Sequence, residues 1–358
     1  MQIITGSISR HKEVRDMKQL KGYMHGVNLG GWLSQCDHTK DRYDNFIKES
    51  DIDTIKSWGL DHIRVPVDYE LVEDKDGNYK EEGFGYIQKA LDWAGKNGLN
   101  MVLDLHKTYG YSFDAGEQEA GFFENEKYQE RFYKLWEQFA KRFGKYEDRL
   151  CFELLNEVTK KEYGLIWNRI STECIKRIRV YAPSINILLG GYYNNSIVAL
   201  KDLCDPVDEH VIYNFHCYEP IVFTHQGAPW IDTMDTEFRM PFEATYRTYF
   251  ANSEAQFGNR PEELKVDNLD ANLGVEYFEK YMQEAVRVAE ERDVALYCGE
   301  YGVIDRATPE DAVKWYKAIS TAFNDHNIGR AAWSYKQMDF GISDARLDGV
   351  RDELLKLL

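Results

Sequence analysis

CFELLNE (151–157) and ALYCGE (295–300) each place a glutamate, Glu157 and Glu300, at the carboxyl end of an apolar run that reads as a buried strand. In a parallel α/β barrel that end of the strands carries the chemistry. Further runs of the same kind extend outward along the chain: GVNLGG (26–31), HIRVPV (62–67), NMVLDLH (100–106), LCFELLNE (150–157), INILLGG (185–191), VIYNFHCY (211–218), VALYCGE (294–300) and GRAAWSYK (329–336). Between them lie amphipathic stretches such as KYQERFYKLWEQFAKRF (127–143), where Phe132, Leu135, Trp136, Phe139 and Phe143 share one face. Eight strands alternating with helices predict an α/β chain folded as a (β/α)8 barrel over residues 22–358, closed by RDELLKLL (351–358) and preceded by an extension of residues 1–21. One interval breaks the rhythm. Residues 219–273 run for roughly fifty positions where a connection of about 2–6 is usual, so an inserted subdomain is expected between strand 6 and helix 6, walling one side of a cleft.

Composition narrows the function. The chain has 358 residues with 61 Asp and Glu against 44 Lys and Arg, a net charge of −17, which disfavours nucleic acid and anionic membranes as partners. A neutral ligand and a monomeric state are expected. The six cysteines form no C-x-x-C pair and read as free thiols rather than a disulfide or zinc framework. No apolar run reaches membrane-spanning or signal-peptide length, so the sequence as it stands reads as soluble and cytoplasmic, or as secreted if a leader is removed. The Asn194-Asn195-Ser196 sequon is read as fortuitous.

The strand ends form the informative pattern: Arg64, His106, Asn156 with Glu157, His216 with Tyr218, Glu300, and Trp333. Any one of these is ordinarily a satisfied polar group; together on one rim they describe a site. Cleaving a glycosidic bond with retention needs one carboxyl to protonate the leaving oxygen and a second, about 5–5.5 Å away, to attack the anomeric carbon. Donors from Arg64 and Tyr218 would keep Glu300 ionised as nucleophile, leaving Glu157 as acid/base. Asn156, His106 and His216 would bind hydroxyls or orient carboxylates. Trp333 would floor the cleaved sugar, and Trp32, Trp230 and Trp333 would line an open groove. With only His106 and His216 at the rim, a metal-dependent hydrolase is disfavoured, and the presence of both carboxylates argues against a binding protein on an inactive barrel.

This ordered set closely resembles glycoside hydrolase family 5, in the clan with catalytic glutamates on strands four and seven. Over about residues 22–340, segments such as GVNLGGWLSQ (26–35), FELLNEV (152–158), VIYNFHCYEP (211–220), LYCGEYGVI (296–304) and SYKQMDF (334–340) look like the clostridial cellulase C type of endoglucanase within that family. The resemblance implies a retaining double displacement with acid/base at Glu157 and nucleophile at Glu300, no metal, no cofactor, and an inserted helical subdomain after strand six. Relatives usually continue His-Ala-Pro-Gly after the third-strand histidine; here His106 is followed by Lys107, Thr108, Tyr109 and Gly110. GVNLGGWL also resembles fungal exo-1,3-glucanases of the family. The expected activity is endo-β-1,4-glucanase on soluble β-glucans, mixed-linkage glucan included, with β-mannan or β-1,3-glucan as alternatives. Crystalline cellulose is not expected as a target, since no binding module accompanies the barrel.

Overall fold

The structure, a computed structural model, describes residues 17–358 apart from 115, 116, 118 and 119. Of the expected N-terminal extension, residues 1–16 therefore lie outside the described residues. Eight parallel strands close into a barrel in sequence order: β1 (His25–Asn28), β2 (His62–Asp68), β3 (Asn100–Lys107), β4 (Leu150–Glu153), β5 (Asn186–Leu189), β6 (Val211–His216), β7 (Leu296–Tyr301) and β8 (Gly329–Ala332). Helices pack outside, their apolar stripes buried against the strands. The helix Glu126–Phe143 buries Phe132, Leu135, Trp136, Phe139 and Phe143, the face expected from its spacing.

Side chains alternate in and out along each strand. One set meets the helices in the main core, while Val102, Cys151, Leu188, Ile212, Tyr297 and Ala331 form a separate apolar cluster with Leu20 and Tyr23. One inward step further along β3, β4 and β6 the lining turns polar at Asp104, Glu153 and Asn214, joined by Asn28 of β1 and Arg64 of β2, all fully buried. The barrel thus has a dry floor and a polar layer above it.

Several strands stop earlier than their apolar runs suggest. β4 ends at Glu153 rather than 157, β8 at Ala332 rather than 336, β1 at Asn28 rather than 31, and β6 at His216 rather than 218. Beyond the last ladder bond the chain still leans on its neighbours: Leu154 N donates to Leu188 O on one side, Asn156 N to Leu105 O on the other, and Glu157 then turns away at φ 43°. The closing helix is likewise shorter, Arg351–Leu354, with Leu354 and Leu358 both buried.

Between β6 and the long helix Val275–Arg292 the chain builds short helices at Ile221–Thr224 and Glu262–Leu264 and a longer one at Tyr246–Phe257. The last is capped by the Thr245 hydroxyl and stopped by left-handed Gly258. Phe223 and Phe242 pack together (ring centroids 5.4 Å apart) in the same core as Tyr249 and Leu264.

Candidate active site

Arg64 lies in the middle of β2 rather than at its end. Its side chain is fully buried and its donors are spent on several partners at once: Glu153 (2.7 and 2.9 Å), Asn28 Oδ1 (2.8 Å), Asn156 Oδ1 (2.9 Å) and Glu300 Oε1 (2.8 Å), with Asp104 at 3.0 Å. Burial alone would lower the guanidinium's pKa; Asp104, Glu153 and Glu300 together overcome it and raise it instead. Glu153 is held from its other side by Asn214 Nδ2 at 2.8 Å. The polar layer thus fixes one cation, Arg64, under Glu300.

Glu300 Oε1 takes the Arg64 bond and Oε2 takes the Tyr218 hydroxyl at 2.9 Å, with His216 Nδ1 3.6 Å away. Burial pushes this carboxyl up, but the charges of His216, Arg64 and His106 and the Tyr218 O–H push it further down, well below the usual carboxylate range. Burial and the Glu300 charge keep Tyr218 a phenol O–H donor, its pKa well above the ordinary tyrosine value.

Four residues past the end of β4, Glu157 takes a left-handed conformation, and its carboxyl meets side chains from β6 and from the turn after β5. Its Oε1 lies 2.8 Å from His216 Nδ1, and its Oε2 accepts from Asn194 Nδ2 at 2.9 Å. One oxygen of Glu157 and one of Glu300 lie within 4.8 Å of each other and of a His216 nitrogen. Desolvation lowers the His216 pKa and the two glutamates more than reverse it, so that imidazole is raised overall. Three ligand atoms so spaced could hold a cation, but Arg64 already supplies positive charge to Glu300 at contact distance.

His106 sits at the end of β3 with Nδ1 2.6 Å from Asp104, and its ring lies parallel to Trp333, centroids 5.8 Å apart. Gly30 makes room for that indole, since a Cβ there would fall 2.8 Å from its Cη2. Asn156 is 1% exposed, and its Nδ2 has no partner among the described residues. Trp230 is 49% exposed and stands edge-on to His225 and close to Phe340, which packs with Trp333.

Trp32 is not in the groove. It is fully buried, its Nε1 donates to Tyr43 O at 2.9 Å, and it stacks on Trp93 with centroids 6.0 Å apart. β1 ends four residues before it, and Gly31 at φ 72° turns the chain inward beneath the helix Glu81–Lys96. Trp32→Ala should therefore cost about 3–5 kcal/mol of stability and change KM for glucans by less than about twofold. Denaturant melts with steady-state kinetics check this; a raised KM at unchanged stability would return Trp32 to the groove.

The sequence reading missed Asn28, Asp104, Glu153 and Asn214, which hold Arg64 and the strands around it, and it missed Asn194. For two of these, Asp104 and Asn214, a polar residue two positions before a rim histidine, His106 and His216, was the available signal.

The family described as Cellulase (glycosyl hydrolase family 5) matches residues 19–339. Cellodextrinase A of Ruminococcus flavefaciens is 46% identical over 314 residues, covering 88% of this chain and 86% of that protein. Endoglucanase C of Acetivibrio thermocellus is 38% identical over 341 residues, covering 93% and 97%. Among solved structures, the clostridial cellulose synthase subunit Z of Clostridioides difficile superposes with a TM-score of 0.73 at 27% identity, covering 94% of this chain and 99% of that one. A family match across most of the barrel, with relatives aligned nearly end to end, places this chain in glycosyl hydrolase family 5, the cellulase family, as a glycoside hydrolase of the endoglucanase type.

Proposed function

We propose that the enzyme cuts internal β-1,4 bonds of soluble β-glucans with retention of configuration, Glu300 acting as nucleophile and Glu157 as acid/base. The observation that carries this reading is the approach of the two carboxyls to within 4.8 Å, oxygen to oxygen. An inverting pair stands about 6.5–9.5 Å apart to admit a water, whereas a retaining pair closes to about 5–5.5 Å.

In the first step the Glu300 carboxylate attacks the anomeric carbon, the glycosidic C–O bond breaks, and the Glu157 proton passes to the departing oxygen. In the second, water attacks that carbon as Glu157 takes its proton, and the bond to Glu300 breaks. Arg64 and Tyr218 support Glu300 as the ionised partner, since both donate to its oxygens. The buried Nδ2 of Asn156, without a partner among the described residues, suits the hydroxyl at carbon two of the reacting sugar. Trp333 and Trp230 offer ring faces to the glucan, and the 219–273 segment that carries Trp230 walls the groove.

The relatives named cellodextrinase and endoglucanase support β-1,4-linked glucose as the substrate, in chains or in short fragments. A panel of barley glucan, carboxymethylcellulose, laminarin and glucomannan tests this. The first two should be cut faster, giving mixed-length products whose new reducing ends are initially β by NMR. Faster release from laminarin or glucomannan would assign the site to β-1,3-glucan or β-mannan instead, and α products at the outset would exclude retention.

A further inference from the structure

We infer that Asn194 is a positioning residue that fixes the carboxyl plane of Glu157 through both halves of the reaction; this rests on Glu157 being the acid/base. After β5 the chain makes three successive left-handed residues, Tyr193 (φ 52°), Asn194 (φ 58°) and Asn195 (φ 54°). None is glycine, and a run of this kind survives only where its surroundings enforce it.

Besides bonds within the turn itself, from Ser196 N to the carbonyls of Tyr192 and Tyr193, its contacts run to Glu157's neighbour and to His216. Asn194 N donates to the carbonyl of Val158, the neighbour of Glu157, at 3.0 Å. Asn195 is fully buried with Nδ2 3.4 Å from His216 Nε2, and Ser196 bridges to His216 through the backbone. With its own backbone and Asn195 held in this way, the turn delivers the Asn194 side chain to the barrel mouth, where its amide meets Glu157 Oε2 at 2.9 Å.

That amide complements His216. The imidazole sits on Oε1 and is shared with Glu300, so its bond to Glu157 changes as charge moves between the two carboxylates. The Asn194 amide is neutral and does not titrate; it favours one orientation of Glu157 and favours it most while Glu157 is ionised and receiving water's proton. Displacing a reacting group by even 1 Å costs on the order of 10²-fold.

The test uses Asn194→Gly, which keeps the left-handed turn and removes the amide. The triplet Asn194-Asn195-Ser196 is also a sequon, and a glycan would occupy this same nitrogen, so the enzymes compared are made in a host without N-glycosylation. With cellotetraose, kcat/KM should fall at least about tenfold. With 2,4-dinitrophenyl cellobioside, whose leaving group needs no proton, kcat/KM should fall by less than about threefold while kcat falls more and is restored by azide. Equal loss on both substrates without azide rescue would make the turn merely structural, and unchanged kinetics on both would remove Asn194 from the mechanism; either overturns the inference. Glu157→Ala run in parallel separates the two levels. If it lacks this leaving-group selectivity, the acid/base reading itself falls; if it has it and Asn194→Gly does not, only the present inference falls.

Discussion

Glu300→Ala should abolish hydrolysis of every substrate, polymer or aryl glycoside, by at least about 10⁴-fold, the scale of loss when a covalent nucleophile is removed. No other carboxyl can take its place. Glu157 is held by His216 and Asn194, and Asp104 and Glu153 are fully buried and tied to Arg64. Deletion also takes from Arg64 Nη1 one of its two acceptors, leaving Asn28 Oδ1, and removes the acceptor of the Tyr218 hydroxyl. A small exogenous anion can enter the gap left by the carboxylate and attack once. Azide with the dinitrophenyl cellobioside should then give an α-glycosyl azide, because a single displacement inverts the anomeric centre. Product NMR and initial rates check both statements; residual hydrolysis within about a hundredfold of the parent enzyme would take the nucleophile's role away from Glu300.

The barrel was legible because eight apolar runs, each separated by an amphipathic stretch, leave few topologies open. The strand ends were less so. At β4 and β8 the residues past the ladder stay buried or keep backbone bonds to adjacent strands, so apolar patterning continues after pairing stops; Leu154, Leu155 and Trp333 are as buried as strand residues. Trp32 went wrong for a related reason: GVNLGG reads as one strand, whereas the pairing ends at Asn28 and the two glycines make the turn. Arg64 was read as a strand-end residue but lies within β2, and its seat of Asn28, Asp104 and Glu153 could not be read, since which side chains meet inside a closed barrel depends on the stagger between strands. Asn194 was hidden more deeply. Its amide reaches Glu157 only because three non-glycine residues in succession adopt left-handed backbone, a conformation that Tyr-Asn-Asn does not announce.

Glu157→Ala should behave in the opposite way to Glu300→Ala, sparing substrates in proportion to how well their leaving groups depart unaided. General acid catalysis is worth about 10²–10⁴-fold, so cellotetraose and barley glucan should lose about that factor in kcat/KM while the dinitrophenyl cellobioside loses little. Glu300 keeps its clamp from Arg64 and Tyr218 in this variant, so the glycosyl-enzyme still forms. Without a base to activate water that intermediate should accumulate, giving a burst of dinitrophenol of about one equivalent per enzyme followed by slow turnover. Azide needs no base and should speed the slow phase, and the product should now be the β-glycosyl azide, because two displacements restore the starting configuration. The two variants therefore yield azides of opposite anomeric form from one substrate. If Glu157→Ala gave the α-azide, or lost activated and unactivated substrates to the same extent, the roles of the two glutamates would have to be exchanged or abandoned.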